Sequence, residues 1–174
     1  NKIKFMPMGS DFRSIKSFSK LNTSNNNRNI LCYCNFSINT HEKRELVYKL
    51  IKNKKFIKFD HMGNFLKYNI SRDEFYTNLS NSKFVICPRG NALDTFRFYD
   101  TIYAGAIPIV VKQKFHNSYF FKDVPILFLD DEKDFGKLSK KFLENKYKEL
   151  IHKKKSYYKN LDMNNFINKI KKFL

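Results

Sequence analysis

Apolar and polar positions along the chain fall into two alternating patterns. Residues 30–36, 55–59, 84–87, 107–111 and 126–129 are short runs rich in apolar side chains and predict strands, the last two being continuously apolar. Between them, apolar residues return every three or four positions, the period of a helix. One helix is expected over roughly 40–53, with Leu46, Val47, Leu50 and Ile51 on one face, Asn39 or Thr40 as its cap and Glu42 in its first turn. Ser71 to Glu74 reads as a capping box opening a second helix that buries Phe75, Tyr76 and Leu79. A third is expected from about Thr95 to Ala104, stopped by Gly105. Its apolar face would be Phe96, Tyr99, Ile102 and Tyr103, leaving Arg97, Asp100, Thr101 and Ala104 as the polar face. Beyond Asp131 the pattern is helical, with Phe135, Leu138 and Phe142 as one stripe and Phe166, Ile170 and Phe173 as another.

Apolar strands alternating with amphipathic helices predict an α/β domain, Rossmann-like and doubly wound, with helices on both faces of a mostly parallel sheet. Residues 1–28, which end in the polar stretch 22–27, read as a leading segment or inter-domain linker, and 29–174 as the domain with its carboxy-terminal helices. Ligands of such sheets bind outside the carboxyl ends of the strands. The loops to inspect are therefore 36–40, 60–64, 88–95 and 112–117.

Composition changes this picture little. The length suits one domain with its own core. No apolar run approaches the ~20 residues that span a bilayer, and no signal peptide opens the chain. It begins at Asn1 and not at Met, so it is expected to be a piece of a longer protein, and its compartment stays open. The formal charge of +18 first suggests a polyanionic partner. Of the 34 basic residues only six are Arg, the side chain preferred for bidentate contacts to bases and phosphates, which argues against nucleic acid. The lysines read as a solvated surface that still attracts a nucleotide diphosphate. Cys32, Cys34 and Cys87 lie in apolar runs with no framework spacing and read as buried, reduced thiols. No Asp-x-Asp motif stands in a loop, Asp130–Asp131 reads as a helix start, and no metal is expected.

Candidate chemistry gathers in loop 88–95, which leaves a strand and runs into a helix. Gly90 gives the turn freedom, and Asp94 or Thr95 can cap the helix that follows. Free amides at a helix start, with the positive end of its dipole, form a seat for phosphate. Arg89, Gly90, Asn91, Thr95 and Arg97 are thus candidates for a diphosphate, and Asp94 and Asp100 for the hydroxyls of ribose or sugar. The plain structural alternative is that Arg97 and Asp100 form a solvated pair. Asn35, Ser37 and His41 in the first loop and His61 after the second strand are secondary candidates; His116 and His152 read as surface residues.

The stretches SKFVICPRGN (82–91), DTFRFYD (94–100) and YAGAIPIV (103–110) resemble the donor-side signature of exostosin-like glycosyltransferases. The likeness extends more loosely over residues 29–131, where LCYCNFSINTH followed by Arg44 is similar to the first strand and loop of that domain. The resemblance implies one half of a GT-B fold, the carboxy-terminal domain that binds the sugar nucleotide. It implies that Arg89 and Arg97 face the diphosphate and that Asp100 stands where many relatives hold the ribose with Glu. It also implies an acceptor glycan, protein or other hydroxyl compound held by an amino-terminal domain, and no cofactor beyond the nucleotide diphosphate sugar itself. The chain departs from the pattern at Ala92, where many relatives have an acid, leaving Asp94 as the nearest carboxylate. Two rival readings are a basic nucleic-acid-binding module and a non-catalytic Rossmann-like scaffold.

Overall fold

The computed structural model describes residues 9, 27–60, 70–117, 121 and 124–158, with side chains described as far as His152. Its centre is a sheet of five strands, β1 (Ile30–Cys34), β2 (Ile57–Phe59), β3 (Ser82–Ile86), β4 (Ile107–Val111) and β5 (Leu127–Leu129). The order is β2-β1-β3-β4-β5 and every neighbouring pair is parallel, so the expected mostly parallel sheet is wholly so among the described residues. Helices α1 (Glu42–Ile51), α2 (Arg72–Ser80), α3 (Phe96–Tyr103) and α4 (Lys140–Tyr158) cover it.

Side chains alternate across each strand, and that alternation divides the core in two. Cys32, Cys34, Phe84, Ile86, Ile107 and Ile109 face one layer, where Val47 and Ile51 of α1 and Leu143 of α4 meet them. Tyr33, Val85, Cys87 and Val110 face the other, against Tyr76 and Leu79 of α2 and Phe98, Tyr99 and Ile102 of α3. The domain is therefore an α/β Rossmann-like sandwich with helices on both faces. No described helix is long and apolar enough to cross a membrane. All three cysteines are buried, and none forms a disulfide.

Several local expectations are corrected. His41, and not Asn39 or Thr40, caps α1: its Nδ1 accepts from the Lys43 amide at 3.1 Å. On α1, Leu46 is exposed, and Arg44 joins Val47 and Ile51 in the buried stripe. On α3 the expected faces are exchanged in part, because Phe96 is 48% and Tyr103 40% exposed while Asp100, Thr101 and Ala104 are buried. Thr101 and Ala104 are small enough to let this helix close on the ends of β3 and β4. In the last helix Leu143 takes the inward place expected of Phe142, which is exposed. Asp131 opens a 3-10 turn, Glu132–Lys137, through a reciprocal capping box with Asp134. At the end of α3, Gly105 adopts φ 75°, the left-handed conformation that stops a helix at least cost in glycine. The stripe Phe166, Ile170 and Phe173 lies outside the described residues.

Candidate functional site

The strand order reverses between β1 and β3, which pair directly although β2 comes between them in sequence. The loops leaving these two strands diverge at that point and open a crevice at the carboxyl edge. Two arginines reach the crevice from opposite faces of the sheet, Arg44 from α1 and Arg97 from α3. Burial pushes the Cys87 thiol, just past the end of β3, up to about 12, against the Thr101 hydroxyl and the charges of Arg97 and Arg44, which hold it down.

Arg97 is placed by the first turn of α3, where Thr101 Oγ1 donates back to the Arg97 carbonyl at 2.7 Å. Its guanidinium carbon lies 5.1 Å from the centre of the Phe75 ring. Nε and Nη1 are buried, with no hydrogen-bond partner among the described residues. The solvated Arg97–Asp100 pair is therefore not the arrangement found: Asp100 is 6% exposed and lies one turn further along α3. Thr95 occupies the N-cap position of α3, but its side chain bonds no helix amide. Asp94 does not cap either and accepts instead from the Tyr99 hydroxyl at 2.9 Å. The Thr95 side chain thus leaves the start of α3 uncapped, although the Phe98 amide bonds the Thr95 carbonyl at 3.0 Å.

Arg44 was absent from the sequence-derived candidates, though an arginine on the stripe of Val47 and Ile51 was a signal. Its Nε donates to the Arg89 carbonyl at 2.8 Å and its Nη1 to the Ser37 carbonyl at 3.3 Å. Its carbon stands 5.8 Å from the Phe36 ring centre. Burial, and next the Arg97 charge, lower its pKa to about 10, so it remains a cation at neutral pH. Gly90 permits this approach, since a Cβ there would stand 3.0 Å from Arg44 Nη2. Arg89 itself folds over its own loop, donating from Nε to the Gly90 carbonyl at 3.2 Å and from Nη2 to the Asn91 carbonyl at 3.4 Å.

A cleft continues from the crevice over the ends of β3 and β4, lined by Lys43, Arg89, Asp94, Thr95, Phe115 and Glu132 among others. Lys43 and the buried carboxylate of Glu132 pair at 2.8 Å across its wall, an arrangement that no sequence pattern linked. His116, expected at the surface, is 7% exposed and also lines the cleft. Its ring sits 4.0 Å from Phe115, 5.1 Å from Phe128 and 5.5 Å from Phe98, centre to centre. Its Nδ1 accepts from the Gln113 amide at 2.9 Å, and burial pushes its pKa down to about 4, so it is neutral and anchors the turn after β4.

The remaining candidates separate. Asn91 is exposed at the loop's tip, and Ser37 contributes only its carbonyl among the contacts above. Asn35 is buried and donates to the Tyr33 hydroxyl at 3.3 Å. His41 is engaged as the α1 cap. His152 is exposed, as expected, and His61 lies outside the described residues. Among the described residues no three His, Cys, Asp or Glu side chains gather as metal ligands do.

The sheet order, the two-sided helix layers and the crevice at the reversal define a Rossmann-like domain. The chain belongs to the exostosin GT47 family, for the Exostosin GT47 domain matches residues 3–121, and it is thereby a glycosyltransferase. Nucleotide-sugar donors and hydroxyl acceptors are the substrates that this family implies. Comparison with curated proteins gave no match.

Proposed function

We propose that the chain binds the diphosphate of a sugar nucleotide at the β1–β3 crevice, as the donor-binding half of a GT-B enzyme. The observation that carries this reading is the half-buried Arg97, whose buried Nε and Nη1 have no hydrogen-bond partner among the described residues, beside a helix start with no side-chain cap. A diphosphate supplies acceptors for both. During transfer the bond between the anomeric carbon and the diphosphate oxygen breaks, and negative charge grows on the leaving group. Fixed donors already aimed at that charge stabilise it without reorganising. Arg97, the amides of residues 96–97 and the loop from Arg89 to Asn91 fill this role. Asp94, which lines the cleft, is the better placed of the two carboxylates for ribose or sugar hydroxyls; Asp100 is buried. Phe115, half-buried in the same cleft, offers a ring face to the nucleobase. The group that activates the acceptor comes from the opposing amino-terminal domain, which also holds the acceptor glycan, protein or other hydroxyl compound.

Calorimetry with a panel of nucleoside diphosphates and a short oligonucleotide, on wild type and Arg97→Ala, tests the reading. Diphosphate binding that weakens at least tenfold in the variant is expected. Binding that ignores the substitution sinks the site assignment, tight salt-sensitive binding of the oligonucleotide alone favours a nucleic-acid module, and no binding at all leaves a scaffold.

A further inference from the structure

We propose that Arg44 is a positioning residue of this donor site: its fork holds the Arg89–Gly90 backbone in place and sets a second fixed charge beside Arg97. The inference rests on the donor reading and extends it to a residue on the other face of the sheet.

An arginine on the apolar stripe of α1 is costly, because its charge is taken from water where Leu or Met would pack without that loss. The guanidinium is spent on two backbone carbonyls, those of Ser37 after β1 and Arg89 after β3. These loops diverge at the reversal point, so one rigid planar group braces both sides of the crevice. The two carbonyls take hydrogens of Nε and Nη1 but leave its charge whole, and among the described residues no carboxylate pairs with it within 4.0 Å. Among the described residues Arg97 has no such ion pair either, and its charge disfavours the charge on Arg44. A ligand with one negative charge relieves part of that repulsion; a diphosphate, with charge on both phosphoryl groups, meets both cations. Gly90 fits the same account, since a Cβ there would crowd Arg44 Nη2 at 3.0 Å and make the guanidinium give by a few tenths of an ångström.

The test uses the whole chain, with inorganic pyrophosphate and orthophosphate as probes that carry no base or sugar. Calorimetry is run on wild type, Arg44→Lys, Arg44→Gln and Arg97→Met, with thermal melting alongside. Arg44→Lys keeps the charge but cannot donate to both carbonyls in one plane, so it does not rescue. Both Arg44 variants are expected to lose about 10- to 100-fold in pyrophosphate affinity, the scale of one or two charge-assisted bonds. Their preference for pyrophosphate over orthophosphate should collapse, a selectivity that a purely structural defect would leave in place. Wild-type affinity in Arg44→Lys overturns the bracing role, and an unchanged preference in Arg44→Gln overturns the second charge. Should the variants not fold, Gly90→Ala displaces Arg44 Nη2 without removing it. At least threefold weaker pyrophosphate binding at an unchanged melting temperature is then expected, and unchanged binding overturns the proposal. If wild type binds neither probe nor any nucleoside diphosphate, the donor reading itself fails; if only Arg97→Met weakens binding, this inference alone fails.

Discussion

The guanidinium of Arg97 lies over the ring of Phe75 at 5.1 Å, while its buried Nε and Nη1 have no hydrogen-bond partner among the described residues. The ring face compensates part of the desolvation, on the order of 1 kcal/mol, but it makes no hydrogen bond to those nitrogens. Arg97→Met should therefore stabilise the unliganded domain, or leave it unchanged, by about 0–2 kcal/mol. The same substitution should abolish measurable diphosphate binding. Urea unfolding and calorimetry on one preparation check both, and a destabilisation above about 2 kcal/mol would make Arg97 a structural residue.

The neutral ring of His116 makes a pH prediction. Its folded pKa, about 4, is below the ordinary value of 6.5, so the unfolded chain binds the extra proton between these limits. The stability this ring contributes is complete above pH 6.5 and lost as pH falls toward 4. With screening at the cleft mouth, the loss is about 2 kcal/mol. Denaturant unfolding at several pH values should show wild type losing that much more than His116→Phe over this window. Parallel profiles would refute it.

Lys43 and Glu132 join the start of α1 to the turn after β5. Glu132→Gln leaves a cation beside a neutral amide, and because Lys43 is 38% exposed the penalty is modest, about 1 kcal/mol. Chemical denaturation measures it. A loss above about 3 kcal/mol would show that the carboxylate does more than pair with Lys43.

The three thiols are buried, and burial raises the pKa of each, that of Cys87 to about 12. Disulfide reagents attack thiolates, so the native domain should be inert to Ellman's reagent at pH 8. All three should react together on adding denaturant. One fast-reacting thiol in native buffer would contradict the packing around it.

The sheet was legible because its central strands are buried on both faces, which leaves runs such as 107–111 with no polar interruption. The crevice was half legible. Arg97 and Gly90 fall in one short segment, and their spacing across a strand-to-helix turn is visible in the sequence. The orientation of α3 was not, because Phe96 and Tyr103 read as core by residue type, while Thr101 and Ala104 earn burial by being small at a close approach. The surroundings of His116 come from Phe98 and Phe128, which only the fold brings beside Phe115. Arg44 stood on the apolar stripe of its helix, and that misfit between charge and position was the available clue.

The uncapped start of α3 ties local order to ligand occupancy. A helix end that lacks a side-chain acceptor frays more easily than one that has it. Under the donor reading, an anion seated there completes the last missing bonds of the first turn, so binding and helix formation draw on one shared free energy. Deuterium uptake at residues 96 and 97 then becomes a measure of occupancy, and the tightness of the ligand is set in part by how readily this single turn comes apart without it.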